Sequence, residues 1–112
     1  MIGTTLHPNT NEKIVVLEDV GEQGYRVHRC LMHMQNAGLF ANTKAVIFGD
    51  FTGSDKHLQS SIEHFIEQYL SSIPVFKTTG IGHGATSRPL PFGVAGVIQN
   101  NQISITSPFK VV

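Results

Sequence analysis

Apolar and polar positions along this chain alternate between two periods. Lys13 is followed by Ile-Val-Val-Leu, and Ala45 opens Ala-Val-Ile-Phe-Gly, both unbroken apolar runs. Runs of this length, rich in β-branched side chains, read as strands buried on both faces. Pro-Val-Phe-Lys-Thr at 74–78 reads the same way. Between the first two runs, Val27, Cys30, Leu31 and Met34 recur at helical spacing, a stripe that places Cys30 in buried packing. Gly38 follows where a helix C-terminus calls for glycine. Between the second and third runs, Ile62, Phe65, Ile66, Tyr69, Leu70 and Ile73 form an apolar stripe. Glu63, His64, Glu67 and Gln68 take the opposite face, and Pro74 stops the helix. Its start is either a Ser60–Glu63 capping box or a point nearer Asp55. Further on, Phe-Gly-Val-Ala-Gly-Val-Ile and Gln-Ile-Ser-Ile-Thr flank Asn100-Asn101, two residues that tolerate positive φ, which predicts a tight β-hairpin.

The resulting order, β-α-β-α-β plus a C-terminal β-hairpin, is that of a single α/β domain with a mostly parallel sheet. Helical crossovers between neighbouring strands imply parallel pairing and right-handed connections. In open sheets of this kind, ligands gather beyond the carboxyl ends of the strands. Three segments follow those ends: Glu-Asp-Val-Gly-Glu after the first, Asp-Phe-Thr-Gly-Ser-Asp after the second, and a glycine-rich loop carrying His83 after the third. Glu18, Asp50 and His83 are therefore expected along one edge of the sheet.

Composition narrows the classes. The 112 residues make one domain's length, and 14% charged residues is low enough to suggest that part of the surface is normally covered. Eight basic and eight acidic residues cancel without clustering, so the basic footprint of a nucleic-acid binder is missing. No apolar run reaches membrane-spanning length, and the N-terminal Met-Ile-Gly-Thr-Thr-Leu-His-Pro lacks the order of a signal peptide. A single cysteine forms no internal disulfide and suits a reducing cytoplasm.

The candidate chemistry centres on Thr-Thr-Gly-Ile-Gly-His-Gly-Ala-Thr-Ser-Arg-Pro, where His83 stands among Gly80, Gly82 and Gly84. Glycines let the chain bend sharply and let another group come close. A carboxylate beside a histidine is the orienting half of a nucleophilic triad, fixing the tautomer while the other ring nitrogen takes a proton. Glu18 or Asp50 is the candidate acid. The plainer reading of the same stretch has Glu18 and Asp19 capping the next turn or pairing with Arg26 and Arg29. No nucleophile elbow is present; Gly53-Ser54-Asp55 enters a helix, and nothing in the pattern turns Ser87 toward His83. The remaining histidines lack the i, i+4 spacing of a helical zinc pair, and Gly-Ile-Gly-His-Gly-Ala precedes no helical pattern that would make it a phosphate cradle. No metal or cofactor is expected.

The succession from Val15-Val-Leu-Glu-Asp-Val-Gly-Glu-Gln-Gly-Tyr-Arg, through Ala-Val-Ile-Phe-Gly-Asp-Phe-Thr-Gly and Ile-Pro-Val-Phe-Lys-Thr-Thr-Gly-Ile-Gly-His-Gly, to Leu-Pro-Phe-Gly-Val-Ala-Gly-Val-Ile closely resembles the C-terminal domain of LD-carboxypeptidases. These are the muramoyl-tetrapeptide carboxypeptidases, related to microcin-immunity peptidases, and the resemblance runs over roughly residues 1–107. It implies a swivelling β/β/α fold. It also implies a serine peptidase with a Ser-Glu-His triad that removes the terminal D-alanine from cytoplasmic murein tetrapeptides during peptidoglycan recycling. Carried over by motif, the catalytic acid is Glu18 and the histidine is His83, with Asp50 beside them. In the family the nucleophilic serine and the oxyanion hole belong to an N-terminal domain. That domain is expected to be absent from this chain and to be its partner.

Three expectations follow. Alone, the chain is inactive, because His83 has no hydroxyl to activate; the alternative is a stand-alone peptide-binding or inactive structural domain of the same fold. Arg88, close beyond His83, is the candidate grip on the substrate's terminal carboxylate, since a guanidinium meets a carboxylate bidentately. The edge that meets the other domain is expected to expose Phe51, Pro91 and Phe92, a patch that invites homodimerisation.

Overall fold

Pairing of the three apolar runs builds one sheet. In the computed structural model, which describes residues 1–106, β1 (Ile14–Val20), β2 (Ala45–Thr52) and β3 (Val75–Lys77) pair in parallel in that order. Ile14 stands opposite Ala45, and Val46 opposite Val75. Helices α1 (Gly24–Asn36) and α2 (Leu58–Tyr69) form the two crossovers. Both step in the same direction along the sheet, so right-handed connections put both helices on one face, where they pack together. Val46 and Phe48 of β2 point into that layer and join Val27, Leu31, Ile62, Phe65 and Leu70 in the core.

β2 is the central strand, and Ala45 through Gly49 are buried, as the apolar run predicts. β1 differs: Ile14 through Leu17 are only half-buried, because this strand lies at the sheet's edge with one neighbour instead of two. β4 (Gly96–Gln99) and β5 (Gln102–Ile105) form the expected antiparallel hairpin as a separate sheet. Its turn has Asn100 at φ 51° and Asn101 at φ 58°, the pair of left-handed residues that a type I′ turn demands. Gly96, at the start of the hairpin, lies near the Ile14 side chain of β1. Residues 107–112, included in the expected domain, lie outside the described residues.

The helix ends show where local pattern sufficed and where it did not. α1 closes as Gly38 predicts: with φ at 78°, its N–H donates to the Gln35 carbonyl, and that of Leu39 donates to Met34, each at 3.0 Å. Cys30, however, is exposed. The buried line of α1 is Gly24, Val27 and Leu31, and Cys30 falls one step to its solvent side. α2 begins at Leu58, and no Ser60–Glu63 box forms: Ser60 donates to the His57 carbonyl, while Glu63 accepts from Gln59. Asp55 organises this end instead. Its Oδ1 accepts the His57 N–H at 2.9 Å and its Oδ2 accepts the Gly24 N–H, so one carboxylate ties the first turns of both helices. Those donors, His57 first and Gly24 second, hold the Asp55 carboxyl below its ordinary pKa.

The anticipated apolar edge is smaller than expected. Phe51 is half-buried, packing on Phe48 at 5.8 Å between ring centroids, because the end of β2 still lies over the core. Pro91 is half-buried too, and Phe92 alone of the three stands clear, 84% exposed.

Candidate active site

Glu18 lies near the end of β1 and Asp50 near the end of β2. The regular register breaks between them: Leu17 pairs with Phe48, but Asp19 pairs with Phe51, so Gly49 and Asp50 together oppose Glu18 alone. Such a bulge re-aims side chains, and here it falls between the two acids. Gly49 has a further task. The Ile81 carbonyl lies so close that a Cβ on Gly49 would sit 2.6 Å from it, and the same carbonyl accepts the Asp50 N–H at 2.7 Å. The loop after β3 is thereby fastened to the end of β2, and a second bond from the Arg88 N–H to the Gly80 carbonyl closes its base.

This fastening carries His83 to β1. His83 Nδ1 lies 2.9 Å from Glu18 Oε2, a contact between residues 65 positions apart in the chain. The imidazole is 62% exposed and the carboxylate 35%. Nδ1 can donate to Glu18, which leaves Nε2 with a lone pair and without a hydrogen-bond partner among the described residues. Of the plainer alternatives, Asp19 keeps a local contact, accepting the N–H of Val20, but among the described residues neither acid pairs with Arg26 or Arg29, and Arg26 pairs with Glu22 at 3.7 Å.

The glycines of the loop are explained by the two acids. Gly82, at φ 115°, would put a Cβ 2.7 Å from Glu18 Oε2 and 3.0 Å from its Cβ. Gly84 would put one 2.6 Å from Asp50 Oδ2. The loop lies across both carboxylates, one beneath each glycine, with His83 between them. Asp50 Oδ2 is closed off from solvent and has no hydrogen-bond partner among the described residues. Beside it a cleft of about 420 Å³ is lined by Asp50, Thr79, Gly80, Gly84, Ala85, Thr86 and Arg88.

The sheet edge expected to hold Glu18, Asp50 and His83 gathers them around one loop, which Arg88 also borders. Sequence reasoning had not identified Gly49 or Ile81, whose backbone contact holds that loop; the sole signal was a glycine ending an otherwise bulky strand. No hydroxyl among the described residues hydrogen-bonds His83, Ser87 included. Among those residues no group of three potential metal ligands exists, and no helix is long and apolar enough to cross a membrane.

A family model described as the LD-carboxypeptidase C-terminal domain matches residues 1–98. The chain belongs to the LD-carboxypeptidase family. Its relatives within that family include a carboxypeptidase from Rickettsia conorii, 34% identical over 99% of this chain and 33% of the relative. The murein tetrapeptide carboxypeptidase of Pseudomonas aeruginosa is 33% identical over 80% of this chain and 30% of its own length. Among solved structures, the muramoyltetrapeptide carboxypeptidase from Oxalobacter formigenes superposes with a TM-score of 0.74 at 26% identity, covering 94% of this chain and 39% of that one. The LD-carboxypeptidase fold thus accounts for nearly all of the present chain, while the chain spans about a third of the length of the curated relatives it matches.

Proposed function

We propose that this domain supplies the acid–base half of a serine carboxypeptidase site that releases the terminal D-alanine of murein tetrapeptides in the cytoplasm, as part of peptidoglycan recycling. The observation that carries this reading is the 2.9 Å contact between His83 Nδ1 and Glu18 Oε2. Glu18 holds the imidazole in the tautomer whose Nε2 accepts a proton, and it steadies the imidazolium that results. The proton comes from a serine hydroxyl outside this chain, on the part of the enzyme that also stabilises the oxyanion. The hydroxyl oxygen attacks the scissile carbonyl. The C–N bond then breaks with its electron pair on nitrogen, which takes the proton held by His83. Water repeats the sequence on the ester and frees the shortened peptide. Arg88, which lines the cleft together with Asp50, takes the terminal carboxylate.

The test uses the complete enzyme, this domain together with its serine-bearing part. His83→Ala and Glu18→Gln each lower kcat about 10²- to 10⁴-fold, the usual worth of a positioned general base and of its correct tautomer, with KM little changed. D-alanine release by the His83→Ala enzyme at the unmodified rate overturns the assignment.

A further inference from the structure

The triad uses Glu18 and leaves Asp50 without a task. Asp50 Oδ2 is closed off from solvent and has no donor among the described residues. A buried carboxylate oxygen is costly to leave in that condition. What covers it is Gly84: a Cβ there would lie 2.6 Å from Oδ2, 2.8 Å from Cγ and 3.1 Å from Oδ1, so the whole carboxylate rests against the Gly84 backbone. A substrate in the neighbouring cleft cannot reach that oxygen. The donors that can are those of the loop itself, and they are not engaged. Among the described residues, the N–H groups of Gly82, His83, Gly84, Ala85, Thr86 and Ser87 donate to no acceptor. An acceptor without a donor thus lies beneath a run of donors without an acceptor. Successive backbone N–H groups in a turn make a concavity that favours an anion. The loop is fastened at its two ends, where the Ile81 carbonyl accepts the Asp50 N–H and the Arg88 N–H donates to Gly80. Between those ends its one hydrogen bond among the described residues is that of His83 with Glu18.

We propose that Asp50 is a positioning residue for His83: its Oδ2 accepts the N–H groups of Gly84 and Ala85, which flank the Gly84 Cα, and so fixes the stretch of backbone from which the imidazole projects. The proposal rests on the carboxypeptidase reading above and gives Asp50 its part in it. Small rotations about the φ and ψ angles of Gly84 swing both N–H groups onto the carboxylate, and the missing Cβ leaves the room for them. The outer side of the loop, His83, Ala85, Thr86 and Ser87, is exposed. There the serine-bearing part of the enzyme presses the loop onto Asp50. A hydrogen bond to a charged acceptor is about twice as strong as a neutral one, which makes the seat firm. Glu18 sets the tautomer and plane of the ring, Asp50 sets the backbone beneath it, and together they aim Nε2 at the incoming hydroxyl.

The experiment uses the complete enzyme and reads amide exchange by NMR, each proton relative to its intrinsic rate. Gly84 and Ala85 exchange at least about tenfold more slowly than Thr86 and Ser87, which gain no acceptor in this arrangement. Asp50→Ala removes that difference and lowers kcat about 10- to 100-fold with KM within about threefold, the cost of displacing a catalytic group by up to about 1 Å. Asp50→Asn keeps a carbonyl oxygen in the same place, so it restores the slow exchange and recovers most of the lost kcat. Gly84 and Ala85 amides that exchange as fast as those of Thr86 and Ser87 in the unmodified enzyme overturn the proposal and need no variant to fold. An Asp50→Asn enzyme as impaired as Asp50→Ala overturns it too, because the charge and not the acceptor would then matter. Exchange is read without turnover, so the Asp50 contact is judged even where the His83→Ala assay overturns the triad.

Discussion

Gly82 and Gly84 act through what they lack. Each leaves room for a carboxylate against the backbone, and each faces a different one. Gly82→Ala brings a Cβ to within 3.0 Å of the Glu18 Cβ, which rotation of the carboxylate cannot relieve, and it strains a backbone held at φ 115°. In the complete enzyme this substitution is expected to lower kcat about a hundredfold, the cost of displacing a catalytic group by about 1 Å. Gly93→Ala is the control. It carries the strain of a positive φ, 71°, but meets nothing within 4 Å, so melting temperature falls modestly and kcat holds. Equal kcat losses for the two would show that backbone strain, not contact with Glu18, matters. At this scale the sequence displayed the glycines and the histidine plainly, but it could not tell which acid each glycine faces. That depends on Gly49 and Ile81 meeting across the sheet, a contact without a local signature.

At the scale of elements, Asp55 links α1 to α2 by accepting one backbone N–H from the start of each. Its pKa is lower folded than unfolded, so its contribution is present in full above the unfolded value and is lost as pH falls through the folded one. Asp55→Ala should therefore lower the melting temperature by several degrees at neutral pH. The gap to the unmodified chain should stay constant down to about pH 5 and close below about pH 4, in calorimetric scans across that range. A gap independent of pH would assign the effect to packing instead. Strands and helices were legible because their apolar periods differ. The end of α2 at Tyr69, short of Pro74, and the exposure of Cys30 were not. Residues 27, 30, 31 and 34 satisfy helical spacing as well as the line actually buried, Gly24, Val27 and Leu31, and only the position of α2 chooses between them. At the start of α2 the Ser60–Glu63 box fails and the alternative near Asp55 holds; what the local pattern does not show is that Asp55 also reaches the start of α1. The bulge opposite Glu18 was invisible for the same reason: register belongs to two strands at once.

For the molecule as a whole, the proposed division of the site leads to a direct expectation. The purified chain should release no D-alanine from murein tetrapeptide above the uncatalysed background, measured by coupled oxidation of the free amino acid, because the described residues offer His83 no hydroxyl. Release that disappears with His83→Ala would show that this chain completes the site by itself. The bond from the Asp50 N–H to the Ile81 carbonyl has one more consequence. The Asp50 amide cannot trade its proton for deuterium until the loop lifts from the end of β2, and a lifted loop takes His83 away from Glu18 in the same movement. The exchange rate at that single position therefore counts how often the acid and the imidazole part company, and any surface that clamps the loop will slow it.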